Sequence, residues 1–132
     1  MASTYSSSLN LEIQATGENS GTWGTITNNN LQKVESGIKG YVSVAVASTT
    51  DALTVADGTT ADEQSNAIIK LTGTLTGNTT MQCEAVETWY IVDNATSMST
   101  HTLGFKPAGG TATNLVAGSK HILYSDGSTM FD

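Results

Sequence analysis

Few side chains in this chain could do chemistry. His101, His121 and Cys83 are its only histidines and its only cysteine. A zinc site needs three or four converging ligands, and neither histidine has a Cys or acidic residue at recognised ligand spacing. Both histidines fall in strand-like stretches. No G-x-S-x-G elbow is present to mark a nucleophilic serine. Asp57, Asp62 and Glu63 cluster in the segment Asp57-Gly58-Thr59-Thr60-Ala61-Asp62-Glu63. Calcium favours such oxygen-rich loops, but the spacing of an EF-hand is missing, so a solvated loop is expected. Glu84 and Glu87 could be imagined as a glycosidase pair. A sugar cleft normally has several aromatic walls, and the chain has two Trp, four Tyr and two Phe in all. Phosphate-cradling and dinucleotide fingerprints are absent. The expectation is a protein that is not an enzyme and binds no metal or cofactor. Cys83, in an apolar-alternating stretch, is expected to be a small buried hydrophobe.

Composition narrows the partners. The net charge is −7, and the basic residues are five Lys with no Arg. Phosphate backbones require clustered cations, so no nucleic-acid partner is expected, and the same deficit argues against anionic membranes. No stretch approaches the roughly 18 apolar residues of a span, and Met1 to Leu9 lacks the basic and apolar regions of a secretory signal. Assembly in a cytoplasm is expected.

The elements that would hold these residues are mostly short strands. A polar, Ser-rich segment, residues 1–8, reads as an extended arm ordered by a neighbour. Residues 9–132 read as a single domain. Leu9, Leu11 and Ile13 alternate with polar residues as in a strand. The one helix expected is Thr25 to Gly37, with Leu31, Val34 and Ile38 at helical spacing and laid against the sheets. Thr27 or Asn28 would cap it, and Gly37 or Gly40 would end it in a left-handed conformation. Trp23, among glycines, would cover the end of that contact; the alternative is a docking residue.

From Tyr41 onward the period is two. Strands are expected around Tyr41–Val46, Leu53–Val55, Ala67–Leu71, Thr79–Val86, Trp89–Val92, His101–Phe105, Thr113–Val116, His121–Tyr124 and Ser128–Phe131. Asp57-Gly58, Gly73, Gly77-Asn78, Gly109-Gly110 and Asp126-Gly127 supply turns. Short strands with turn residues between them indicate a sandwich or barrel. No internal repeat stands out, and a solenoid is not expected. The fold class expected is all-β: an antiparallel, jelly-roll-like β-sandwich with one short N-terminal helix and an extended arm.

The segment Thr16 to Leu31, TGENSGTWGTITNNNL, resembles a motif of structural proteins from tailed phages, especially phages of marine bacteria and cyanobacteria. The likeness continues through Gly37 to Tyr41 (GIKGY), Asp62 to Asn66 (DEQSN), Leu71 to Thr80 (LTGTLTGNTT), Tyr90 to Thr96 (YIVDNAT) and Leu123 to Gly127 (LYSDG). That pattern usually has a basic residue near Gln64-Ser65, and this chain has none. The resemblance implies a virion structural protein with no catalytic or cofactor residues. No shaft or receptor-binding region is expected to follow the matching strings. The role expected is therefore a small decoration or cement protein on the outside of the capsid, with the major capsid protein as partner. A tail-fibre or tail-adaptor protein bound to tail proteins is the runner-up, and a carbohydrate-binding module is a third reading. A closed homo-oligomer such as a trimer is expected, in a virion assembled in the cytoplasm of a bacterial host. The contact residues expected are Ser6, Ser7 and Ser8 of the arm, and Trp23.

Overall fold

The computed structural model describes residues 2–46, 49–59 and 62–132. Its elements are β1 (Thr4–Tyr5), β2 (Glu12–Ile13), α1 (Trp23–Lys39), β3 (Tyr41–Ala45), β4 (Thr50–Ala52), β5 (Ile68–Thr72) and β6 (Thr79–Cys83). They continue with β7 (Glu87–Asn94), β8 (Leu103–Pro107), β9 (Thr113–Leu115), β10 (Lys120–Asp126) and β11 (Met130–Phe131). Apart from the small β1–β2 pair, the strands form a five-stranded sheet ordered β11-β10-β7-β5-β3 and a four-stranded sheet ordered β4-β6-β8-β9.

Period-two alternation builds the core. In β10, His121, Leu123 and Ser125 are buried while the residues between them are exposed. In β5, Ile69 and Leu71 point inward, and in β6 Met81 and Cys83 do. Side chains from both sheets meet in one cluster that includes Val44, Ile69, Val92 and Leu123 with Met81, Leu103 and Phe105. The rings of Tyr90 and Phe105, one from each sheet, lie 5.8 Å apart. Cys83 belongs to this core, and burial pushes its thiol up to about 11 from an ordinary 9.0. At neutral pH that leaves about a hundredfold less thiolate, the reactive form. A thiol reagent should therefore label Cys83 at least that much more slowly in the native chain than in the urea-unfolded one. Equal labelling rates would remove Cys83 from the core.

The expectation of antiparallel strands gives way for half of the ladder. From β3 to β8 successive strands alternate between the two sheets. Each strand then lies parallel to the one two positions earlier: β3 with β5, β5 with β7, β4 with β6 and β6 with β8. Only the last strands turn back, β9 on β8, β10 on β7 and β11 on β10. The sheets are mixed, and the winding of β3–β8 does not follow the antiparallel path of a jelly roll. Parallel neighbours need a crossover; here it is a strand in the opposite sheet. The turns at Gly73 and at Gly77-Asn78 thus carry the chain between sheets instead of closing hairpins.

Two local expectations also change. α1 begins at Trp23 with Thr22 as N-cap and no side-chain cap bond, and Gly40 ends it in an extended conformation (φ −70°, ψ 149°). The arm is folded back. Thr4–Tyr5 pairs antiparallel with Glu12–Ile13, the Leu11 N–H donates to Ser6 Oγ at 2.9 Å, and Ser8 Oγ donates to the Glu87 carbonyl at 2.7 Å. Met1 lies outside the described residues.

Candidate interaction surface

The helix is turned with its polar side inward. Thr27, Asn30 and Lys33 recur at helical spacing and meet the hairpin and the loop ahead of β5. Asn30 treats Glu12 as a neighbouring strand would: its Oδ1 accepts the Glu12 N–H at 2.9 Å, and its Nδ2 donates to the Glu12 carbonyl at 2.8 Å. Gln14 Nε2 donates to Thr27 Oγ1 at 3.2 Å. Asn29 Nδ2 reaches the Gly58 carbonyl. The strings TGENSG and TNNNL thus both clamp the segment that carries Glu12 and Gln14. Gly17, Asn19 and Gly21 all adopt positive φ, which shapes the loop so that Asn19 Nδ2 can bond Glu12 Oε1 at 2.8 Å.

Lys33 is the centre of the clamp. It is fully buried, and its Nζ donates to the carbonyls of Leu9 and Ala56 and to Asp62 Oδ2, the last at 2.7 Å. Asp62 also accepts the N–H groups of Ser65 and Ala56. Burial pushes the Asp62 carboxyl up, but Lys33 and these N–H groups outweigh it and hold the group below its ordinary value. Beside it, Gln64 clasps Glu84: its Nε2 donates to Glu84 Oε2 at 2.9 Å and its Oε1 accepts the Glu84 N–H.

With the polar side engaged, the apolar side of α1 faces outward. Trp23 is 64% exposed, Leu31 61% and Ile38 63%. The expectation that Leu31, Val34 and Ile38 lie against the sheets, with Trp23 covering the contact, is therefore corrected. Only Val34 is half-buried. The reason is what lies beneath the helix. Loop carbonyls and one carboxylate need donors, so polar side chains are drawn to that side.

The four residues expected to make contacts are not gathered in one place. Ser8 lines a cleft of about 310 Å³ at the C-terminal end of α1, together with Leu9, Ile38 and Trp89. Trp23 stands at the other end of a 17-residue helix, about 24 Å away at 1.5 Å per residue. Ser6 is tied into the hairpin, and Ser7 is exposed. The apolar positions on which the surface turns, Leu31 and Ile38, were visible in the sequence, but periodicity assigned them to the wrong side.

The groups that might do chemistry are dispersed or occupied. Asp57 accepts from Asn10, Asp62 is bound to Lys33, and Glu63 accepts the Thr54 N–H; Thr60 and Ala61 of that loop lie outside the described residues. No group of three or more His, Cys, Asp or Glu that could hold a metal occurs among the described residues. His121 is buried, with Nδ1 at 2.6 Å from Asp132 Oδ2 and Nε2 accepting the Val116 N–H at 3.1 Å. That pairing places a proton on Nδ1 and ties Asp132 to β10. No described helix is long and apolar enough to cross a membrane.

No family model matches this chain, and comparison with curated proteins and with solved structures finds no match.

Proposed function

We propose that this chain is a non-enzymatic structural protein of a bacteriophage particle, a decoration or cement protein on the outside of the capsid, with the major capsid protein as its partner. The observation that carries the reading is the helix α1. Its polar side is bonded to the chain beneath it, which leaves Trp23, Leu31 and Ile38 outward on a rigid mount. Apolar side chains held rigidly outward are what a docking surface requires, because little ordering entropy is lost on binding. The phage context comes from the sequence resemblance. The winding of β3–β8 lends weight to a tail-fibre or tail-adaptor role as the second reading, because parallel coils of strands stack along an axis.

Trp23 separates docking from packing. Trp23→Ala should change the unfolding free energy by no more than about 0.5 kcal/mol, as for exposed positions elsewhere. The same variant, and Leu31→Ser with it, should lose attachment to particles stripped of the parent protein. A fall in stability of several kcal/mol would return Trp23 to the core; full attachment by both variants would end the docking role of α1. Copy number separates the two placements. A fixed ratio to the coat protein fits decoration, and a few copies purifying with tails fit the fibre.

A further inference from the structure

The outer side of the five-stranded sheet carries a second surface, in cross-strand rows. Tyr90, Val92 and Asn94 of β7 point into the core, so Glu87, Trp89, Ile91 and Asp93 face out. Register places Glu87 opposite Asp126, an acidic row. The next row is aromatic, Trp89 beside Tyr124 beside Phe131, with the last two rings stacked 4.9 Å apart. The third is mainly aliphatic: Ile122, Ile91 and Ile68, ending on Tyr41. The fourth sets Lys120 and Lys70 on either side of Asp93, with Lys120 Nζ 3.7 Å from the carboxylate. Ile122 is 71% exposed, and Tyr41, Tyr124 and Trp89 are exposed as well.

We propose that this face binds a second copy of the same chain, sheet to sheet, about a two-fold axis lying across the strands. Three features support that occupant. First, the rows form an apolar centre flanked by charge, the anatomy of a protein interface. Second, monomers rarely expose an apolar patch beyond a few hundred Å². Seven large apolar side chains lie together here inside a charged rim, and a stable pair buries roughly 800 Å² per partner. Third, the charges permit the approach. A rotation about that axis reverses the row order and sets each strand over its own copy, so Asp126 meets Lys120, and Glu87 meets Asp93 where Lys70 and Lys120 flank it. The aromatic row then meets the aliphatic one. In a chain of net charge −7, this arrangement lets two like-charged molecules meet. The proposal stands apart from the particle role and uses a different face from α1, which it meets only where Trp89 and Ile38 line one cleft.

Sedimentation velocity of the full chain tests it. The parent should form a dimer with a Kd of about 10 µM or tighter. Ile122→Glu puts a carboxylate in the centre of the face and should weaken the pair at least about a hundredfold; at concentrations well below the parent's Kd, where both are monomers, its thermal midpoint should be unchanged, because the exposed Ile122 is not part of the chain's own core. The double variant Lys70→Glu/Lys120→Glu, whose fourth row is then wholly acidic and faces the acidic first row, should also be monomeric. A parent that stays monomeric, forms a trimer, or dimerises regardless of Ile122→Glu overturns the proposal. So does a dimer that survives Lys70→Glu/Lys120→Glu.

Discussion

Lys33→Met should destabilise the chain by about 3–5 kcal/mol, the usual cost of removing one member of a buried ion pair. That is a large share of the roughly 5–15 kcal/mol a domain possesses. Methionine keeps the length of the stem, so the loss is chiefly electrostatic. It strands the Asp62 carboxylate and frees the carbonyls of Leu9 and Ala56 from their donor. Urea unfolding at pH 7 measures the difference. Lys33→Met/Asp62→Asn should regain part of it, because no charge then stays buried. The pH dependence follows from the sign of the shift. The Asp62 carboxyl lies below its ordinary 3.8 in the folded chain, so its contribution is present above that value and is lost as pH falls below it, through the lowered folded value. In Lys33→Met, by contrast, burial of Asp62 is unopposed by the ammonium, and protonation relieves the stranded charge. The gap between parent and variant should therefore narrow from pH 7 to pH 3. A variant within 1 kcal/mol of the parent at pH 7 would show that Lys33 does not hold the helix to the loop.

The sequence was informative about what the elements are and less so about how they face. Alternation located strands near β3, β5–β8 and β10, because an inward residue must be apolar whichever way its neighbour runs. That same indifference hid the parallel winding: Ile69 and Leu71 would alternate identically beside an antiparallel partner. The helix shows the second limit. Leu31, Val34 and Ile38 mark an amphipathic element, and periodicity alone assigns its apolar side to the interior. Lys33 and Asn30 reverse that assignment, because the helix lies on loop carbonyls and on Asp62, which sequence spacing places far away. DEQSN and TNNNL were visible as strings, but that Asp62 meets Lys33 was not. The outer sheet face was hidden for a similar reason. Each of Trp89, Tyr124 and Tyr41 reads as an ordinary strand aromatic until register aligns them.

Gly40→Ala should cost about 3 kcal/mol, at the upper end of what overpacking usually does, and should lower the thermal midpoint by about 10 °C for a domain of this size. The backbone of Gly40 is extended, at φ −70° and ψ 149°, a conformation open to any residue, so the left-handed ending expected from the sequence is not the reason for glycine here. Space is. A methyl group at this position would overlap the backbone of Ser36 and approach the Asn66 side chain to 2.6 Å. The Ser36 backbone cannot yield cheaply. The Ser36 carbonyl accepts the N–H groups of both Gly40 and Ala67, and the Gly40 carbonyl accepts that of Ile68, so the end of α1 and the start of β5 are bonded through this point. Gly24→Ala is the control. Gly24 lies in the first turn of the same helix with nothing within 4 Å of an added Cβ, and alanine should be neutral there or stabilise by up to about 1 kcal/mol. Calorimetry on the two variants compares the same chemical change at a crowded and an open position. Equal midpoints would mean that the helix-to-strand junction accommodates a side chain, and that the close approach at Gly40 is not what holds α1 in its inverted seat.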